Sequence, residues 1–160
     1  MELKNLILCS VMGIALVLIV FPVQAFSASH IDYIVDNDGN AVVTADYELS
    51  FAEKLALSTD FAKNEFTKAL KTEYGEGVEV ISIDETRTQF TIKGFADVKD
   101  GSIITPCLNF ENIKNRIEKY WFTKYLGIDY SPTLTTVRFA NGEVYTYNDK
   151  IFVPSLSAKI

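Results

Sequence analysis

The sequence contains very little histidine and cysteine, and this scarcity excludes several kinds of active site. Its 160 residues include one histidine, His30, and two cysteines, Cys9 and Cys107. A zinc site needs three or four ligands, which one histidine and one cysteine of a mature chain do not supply. A serine or cysteine nucleophile needs an adjacent base, and we expect His30 to lie in a disordered N-terminal stretch. Glycine-rich phosphate loops are absent as well. We therefore predict no catalytic residue, no cofactor and no metal.

The balance of charge is acidic, which excludes two further classes of partner. Asp and Glu number 21 against 15 Lys and Arg, which gives a net charge of −6. An acidic surface does not attract phosphate backbones, so we expect no nucleic acid partner. The same charge disfavours peripheral binding to anionic lipid.

Cysteine also bears on how the domain is stabilised. If Cys9 is removed with a leader, Cys107 stands alone and no disulfide can form within the mature chain. Because the neighbours of Cys107 are apolar, we predict that it is a buried small side chain rather than a reactive thiol. Stability then depends on the hydrophobic core.

The longest feature that the sequence does possess is an apolar N-terminal run. Residues 6–21 read LILCSVMGIALVLIVF without a charge, behind a short polar head that contains Lys4. Pro22 ends the helical part, and Ala25 offers the small residue that signal peptidase requires. An uncleaved anchor is the alternative, because residues 6–23 only just reach the roughly 17 apolar residues that a spanning helix needs. In that case, membrane contact occurs only through this segment.

These observations predict two parts of the chain. Residues 1–28 form a signal peptide or an N-terminal membrane anchor, and residues 29–160 form a single extracytoplasmic domain. We therefore expect the protein to be secreted or to be membrane-anchored on the extracytoplasmic side.

Alternation of apolar and polar residues predicts three pairs of strands. Residues 31–35 and 41–49 flank the turn DNDGN, and residues 135–147 form a hairpin around the two residues Asn141-Gly142. The middle pair covers residues 78–83 and 89–98. We expect the chain to fray after Pro154.

Two helices interrupt the strands. A capping box at Ser50 and Glu53 predicts the start of the first helix, and Gly75 is placed for a left-handed cap at its end. Asn109 predicts the start of the second. The order ββαββαββ favours an α+β fold, with a single antiparallel sheet of about six strands and both helices packed on one face, preceded by the signal or anchor helix.

Two acidic motifs have ordinary structural explanations. The DNDGN turn at residues 36–40 spaces its side-chain oxygens as a calcium-binding loop does. However, the position of its glycine and the residue at its twelfth position do not fit the calcium-loop pattern, and a hairpin turn explains the same residues without a metal. The adjacent pair Asp84-Glu85 at a strand exit is typical of solvated turn residues, although two carboxylates could act as acid and base.

Aromatic residues in the C-terminal half suggest a candidate binding surface. The consecutive aromatic residues Tyr120-Trp121-Phe122 point around more than half of the circumference of a helix, so at least one ring should lie outside the apolar stripe and be available for binding. The alternative is that all of these rings belong to the core. The candidate surface consists of Trp121, Phe122 and Tyr125.

The function predicted from these features is that of a non-catalytic extracytoplasmic domain at the cell surface or envelope. Its partner is expected to be a protein or a glycan. Two alternatives stay open: a membrane-anchored accessory subunit of an envelope complex, and a small exported hydrolase that uses two carboxylates.

Overall fold

A computed structural model describes residues 27–49, 54, 59–117 and 132–160. The predicted leader up to residue 26, the capping box at Ser50 and Glu53, and the candidate surface of Trp121, Phe122 and Tyr125 lie outside the described residues. Within the described part of the chain, none of the helices has the length and apolar character needed to traverse a bilayer.

The described residues form eleven strands and two helices. The helices are α1 (Asp60–Tyr74) and α2 (Phe110–Ile117). The strands are β1 (Ser27–Val35), β2 (Ala41–Glu48), β3 (Val78–Ile83), β4 (Arg87–Ile92), β5 (Asp97–Lys99), β6 (Ser102–Ile104), β7 (Leu108–Asn109), β8 (Leu134–Phe139), β9 (Val144–Asn148), β10 (Phe152–Val153) and β11 (Ser157–Lys159).

The predicted α+β fold with a single antiparallel sheet is wrong. The structure is mostly β, with 50% strand and 17% helix. A six-stranded sheet has the order β3-β4-β2-β1-β8-β9, and two smaller sheets contain β11-β6-β5 and β10-β7. The large sheet is mixed because β1 pairs with β8 in parallel, from His30 opposite Leu134 to Val35 opposite Phe139. The alternation of apolar and polar residues and the turn residues between them indicate only antiparallel pairs of strands that are close in sequence. They therefore give no sign of the parallel pairing between β1 and β8.

The second reason for the error is a break in a predicted strand. Residues 89–98 were expected to form one strand, but Gly94 adopts a φ of 65° and the chain leaves the large sheet there. β4 belongs to the large sheet, whereas β5 lies in the three-stranded sheet. An isolated glycine in a strand pattern is a signal of such a bend.

The C-terminal segment does not fray after Pro154, so the expectation of a frayed chain end is wrong. β11 pairs antiparallel with β6, from Ser157 opposite Ile104 to Lys159 opposite Ser102. Leu156 and Ala158 are buried in the core. The physical reason is that both of these apolar side chains pack against residues from a distant part of the chain.

The last hairpin has a three-residue loop instead of the predicted two-residue turn. The amide of Phe139 donates to the carbonyl of Glu143, and the amide of Gly142 donates to the carbonyl of Phe139. Gly142 adopts a φ of 92°, while Asn141 is not among the described residues with positive φ. This is a type I turn followed by a glycine bulge.

The β1–β2 turn repeats that arrangement. The amide of Asp36 donates to the carbonyl of Asn40, and Gly39 takes the left-handed position with a φ of 79°. Gly39 is also a contact point with the rest of the fold, because its carbonyl accepts a hydrogen bond of 2.8 Å from the amide of Ala96.

Both predicted helix boundaries that fall in the described part are confirmed. Gly75 has a φ of 89°, and its amide donates to the carbonyl of Lys71 at 2.8 Å, so it closes α1 with a left-handed cap. The side chain of Asn109 accepts a hydrogen bond of 3.1 Å from the amide of Asn112, so it caps α2.

One face of the large sheet forms the core. Odd-numbered residues of β1, β2 and β8 face this core, among them Tyr33, Val43 and Val137, and so do the even-numbered residues of β4. α1 packs on this face through Leu70, and the small sheets contribute further buried side chains to the same cluster. The cluster includes Phe95, Ile103, Leu108, Phe110, Val153, Leu156 and Ala158. The residues that alternate with these on each strand point to the opposite, mostly polar face.

Three tyrosines of the core have hydroxyl groups held by hydrogen bonds. The hydroxyls of Tyr33 and Tyr74 lie 3.3 Å apart, and Tyr47 donates a 2.6 Å hydrogen bond to the carbonyl of Asp84. Burial raises the pKa of Tyr47 and of Tyr74 to about 12 each. Burial also raises the pKa of Tyr33 well above its ordinary value.

These shifts predict a loss of stability at alkaline pH. A raised tyrosine pKa means that the fold favours the neutral phenol, so the stabilisation is complete below the unfolded value of about 10 and is lost as pH rises towards 12. We expect absorbance titration to show that Tyr33, Tyr47 and Tyr74 ionise at higher pH than free tyrosine does. Tyr74→Phe should remove one of the late-ionising groups. Simultaneous titration of every tyrosine near pH 10 in the folded protein would contradict the buried network.

Candidate ligand-binding cleft

A cleft of about 370 Å³ opens beside the C-terminal end of α1. Ile92, Phe95 and Leu108 supply apolar lining, and Glu73, Asn109 and Asn112 supply polar lining. Its volume falls within the roughly 300–1,000 Å³ of small-molecule sites, and its lining combines apolar side chains with polar groups that can orient a ligand.

Glycine and asparagine residues shape this cleft. Gly75 ends α1 beside Tyr74, one of the lining residues, and Gly94 turns the chain away from β4 so that Phe95 reaches the cleft. Asn109 ends β7 and caps α2, which places Asn112 one turn along the helix. The cleft therefore lies where four segments end or bend.

The prediction of a buried Cys107 is wrong. Cys107 is a free and exposed cysteine, and it lines the cleft. Its apolar neighbours Ile103 and Leu108 are the residues that enter the core. Cys107 lies in the irregular stretch between β6 and β7, where no sheet alternation directs the side chain inwards.

A second, smaller cavity lies beneath α1 on the core face of the sheet. Its volume is about 80 Å³, and its lining includes Phe66, Leu70 and Phe90. Glu73 and Tyr74 line both this cavity and the cleft, so the two lie on either side of the end of α1. The cavity is well below the usual size of a ligand site, and we interpret it as imperfect packing between helix and sheet.

His30 is ordered, which corrects the expectation that it lies in a disordered N-terminal stretch. It belongs to β1, a central strand of the sheet, on the polar face. Its Nε2 lies 3.1 Å from Thr136 Oγ1, and its Nδ1 lies 3.9 Å from Asp46 Oδ2. Asp46 in turn accepts a hydrogen bond from Arg87.

This row of Asp46, His30 and Thr136 has the order of a catalytic acid, base and hydroxyl, but its geometry differs. The 3.9 Å separation between histidine and carboxylate is too long for a hydrogen bond, and Arg87 already engages the carboxylate. His30 lies directly opposite Asp46, whereas Thr136 lies diagonally across from it on β8, and none of the three lines either cavity. We interpret the row as cross-strand polar pairing that stabilises the sheet.

The carboxylates noted in the sequence are engaged in turns. Asp36 accepts hydrogen bonds from the amides of Asp38 and Asn40, as a hairpin turn requires. Asp84 accepts them from the amides of Thr86 and Arg87, and these bonds hold its pKa below the ordinary value. A general acid needs the opposite shift. Across residues 27–49, 59–117 and 132–160, no three His, Cys, Asp or Glu side chains converge as metal ligands.

The cleft was not predicted from the sequence, because its residues come from distant segments. Glu73, Asn112 and Cys107 belong to no motif, and only the packing of α1 against the start of α2 brings them together. The isolated Gly94 was the one available signal, since it marks the bend beside the cleft.

Comparisons with protein-family models, with curated proteins and with solved structures find no match to this chain. The candidate site therefore depends on the geometry of the cleft alone. The predicted surface of Trp121, Phe122 and Tyr125 lies outside the described residues and stays a prediction.

Proposed function

We propose that this chain is an exported, non-catalytic binding domain whose ligand occupies the cleft beside α1. The observation that carries the proposal is the cleft itself, at about 370 Å³ with both apolar and polar lining. The extracytoplasmic location is supported by the sequence of residues 1–28, with its polar head, apolar run and small-residue exit.

The lining favours a particular ligand chemistry. Glu73 contributes a carboxylate, Asn109 and Asn112 contribute side-chain amides, and the described residues of the lining include no Lys, Arg or His. Such a site favours a neutral or cationic group attached to an apolar body. A lysine or arginine side chain of a surface protein fits this description, and so does a sugar unit packed on an aromatic ring.

The binding proposal is tested by blocking the cleft. We would titrate the isotope-labelled domain with lysine- and arginine-containing tripeptides and with disaccharides, and record backbone amide shifts. A ligand of the cleft should shift the resonances of Asn109 and Asn112 and slow the reaction of Cys107 with a soluble thiol reagent. Asn112→Trp should abolish both effects.

A matched control separates blocking from general damage. Glu111→Trp places the same ring on the neighbouring exposed position of α2, outside the cleft lining, and should leave binding intact. Equal binding by both variants, or shifts confined to another surface, would overturn the assignment of the cleft.

Export is tested separately with a reporter enzyme that is active only outside the cytoplasm. Residues 1–28 fused to alkaline phosphatase should give an active enzyme, and an inactive cytosolic fusion would contradict export. The mass of the mature N-terminus then distinguishes cleavage from anchoring, because a start at Met1 indicates the anchored accessory subunit.

The sequence offers two small residues for cleavage, Ala25 and Ala28, and the extent of β1 supports the first of them. β1 begins at Ser27, and Ala28 is buried opposite Tyr47 of β2. Cleavage after Ala25 would leave this strand intact, whereas cleavage after Ala28 would remove its first two residues. We therefore expect a mature chain that starts at Phe26.

A further inference from the structure

The strand β9 forms one outer edge of the large sheet. It pairs with β8 on one side, and among the described strands none follows it in the order of that sheet. Val144, Thr146 and Asn148 are exposed, and Val144 retains 51% of its accessible surface. An exposed sheet edge can pair with a further strand.

The hydrogen-bond pattern shows which backbone groups face outwards. The amide of Phe139 donates to the carbonyl of Glu143, and the amide of Asp149 donates to the carbonyl of Thr133. Antiparallel pairs alternate, so residues 145 and 147 bond towards β8. The amides and carbonyls of Val144, Thr146 and Asn148 therefore point away from the sheet.

The other edge of the sheet, β3, is less suited to pairing. Its register with β4 shifts at a bulge between Val80 and Ser82. The amide of Val78 is occupied by the carbonyl of Gly75. Bulges and engaged amides are ways in which natural sheets protect an edge. β9 is regular, and its sequence VYTYN contains no charge and no proline.

Charges at the two ends of β9 determine which kind of strand can pair with it, a second copy of this chain or a strand of a different protein. Exposed acidic residues, Glu143 and Asp149, flank the uncharged strand. A second copy paired antiparallel about Thr146 would bring Glu143 of each copy next to Asp149 of the other, and like charges opposite each other are destabilising. Lys150 follows Asp149, so one lysine would lie near each of these two acidic pairs and offset only part of its charge. The edge therefore favours a strand with basic residues.

We propose that β9 binds an extended segment of a partner protein by strand addition. The bound segment has an uncharged, alternating centre opposite residues 144–148 and a lysine or arginine at each end, six positions apart, near Glu143 and Asp149. Main-chain hydrogen bonds to Val144, Thr146 and Asn148 supply the affinity, and the terminal charges supply the selectivity.

A defined peptide tests this directly. The probe is acetyl-Lys-Thr-Val-Thr-Val-Thr-Lys-amide, whose two valines would lie beside Tyr145 and Tyr147 in the antiparallel register. Binding should shift the amide resonances of Val144, Thr146 and Asn148 downfield and protect them from hydrogen exchange. The same peptide with glutamate at both ends should bind at least about tenfold more weakly, since it meets like charges.

Two variants of Thr146 separate strand addition from other modes. Thr146→Pro removes the central outward amide while the bonds of residues 145 and 147 to β8 persist, and proline is tolerated on an edge strand. It should weaken peptide binding at least about tenfold, because a backbone hydrogen bond is lost and the ring blocks approach. Thr146→Val keeps the amide and should bind like the original chain.

Several outcomes would overturn the proposal. They are shifts that bypass the β9 amides, equal binding of the lysine and glutamate peptides, or unchanged binding by Thr146→Pro in a protein that melts normally. A concentration-dependent dimer in sedimentation that Thr146→Pro dissociates would assign the edge to a second copy. None of these results depends on the cleft, so the two proposals succeed or fail independently.

Discussion

Replacing Gly39 with alanine is expected to destabilise the domain by about 3 kcal/mol or more. Gly39 has a φ of 79°, a conformation that costs an L-residue roughly 1–2 kcal/mol. In addition, an ideal Cβ at this position would lie 2.3 Å from the carbonyl oxygen of Ala96. Neither the added Cβ nor the backbone oxygen can move without its own segment of chain. The turn and the segment after β4 must therefore separate, with loss of the Ala96–Gly39 hydrogen bond. Urea denaturation followed by circular dichroism measures the change.

Gly142→Ala is the matched control for this prediction. Gly142 occupies the same position in the other three-residue hairpin, with a φ of 92°, but no atom lies within 4 Å of an added Cβ. We expect only the conformational cost of roughly 1–2 kcal/mol there. Equal losses at the two glycines would show that the β1–β2 turn does not pack against Ala96.

The second large effect is expected at Leu156, in the segment that the sequence predicted to fray. Leu156 is only 8% exposed, and its amide donates to Thr105 Oγ1 while its carbonyl accepts from the Thr105 amide. Leu156→Ala should therefore cost about 3 kcal/mol, as truncation of a buried leucine usually does. The measurement is again the free energy of unfolding in urea.

Ile160 provides the control at the same chain end. It retains 57% of its accessible surface, so Ile160→Ala should change the free energy of unfolding by less than about 0.5 kcal/mol. If the Leu156 and Ile160 variants were equally stable, the chain beyond Pro154 would not be docked on β6.

These predictions concern the part of the fold that also positions the cleft. Phe95 and Ala96 follow the bend at Gly94. The β1–β2 turn holds this bend, because Asn40 Oδ1 accepts a hydrogen bond from the amide of Gly94 and the carbonyl of Gly39 accepts one from the amide of Ala96. Phe95 stacks on Tyr33 with ring centroids 5.3 Å apart, which connects the cleft lining to the core. Gly39→Ala should therefore also alter the shape of the cleft, and a change in Cys107 reactivity would report it.

Local features were determined by the sequence alone. The left-handed cap at Gly75, the asparagine cap at Asn109 and the turn at Asp100-Gly101 depend on side chains within a few residues of each other. Glycine tolerates positive φ, and asparagine accepts a nearby amide, so neighbours in the chain suffice to place these residues.

The tertiary structure decided the parallel pairing of β1 with β8, the division of the sheets at Gly94 and the docking of β11. Each joins segments that are far apart in the chain, and alternation says which side of a strand is apolar without naming its partner. The cleft has the same origin, because Glu73, Asn112 and Cys107 share no motif and meet only where α1, α2 and the chain after β6 converge. Which strand lies beside which was settled by the burial of a common core, and that burial is a property of the whole chain.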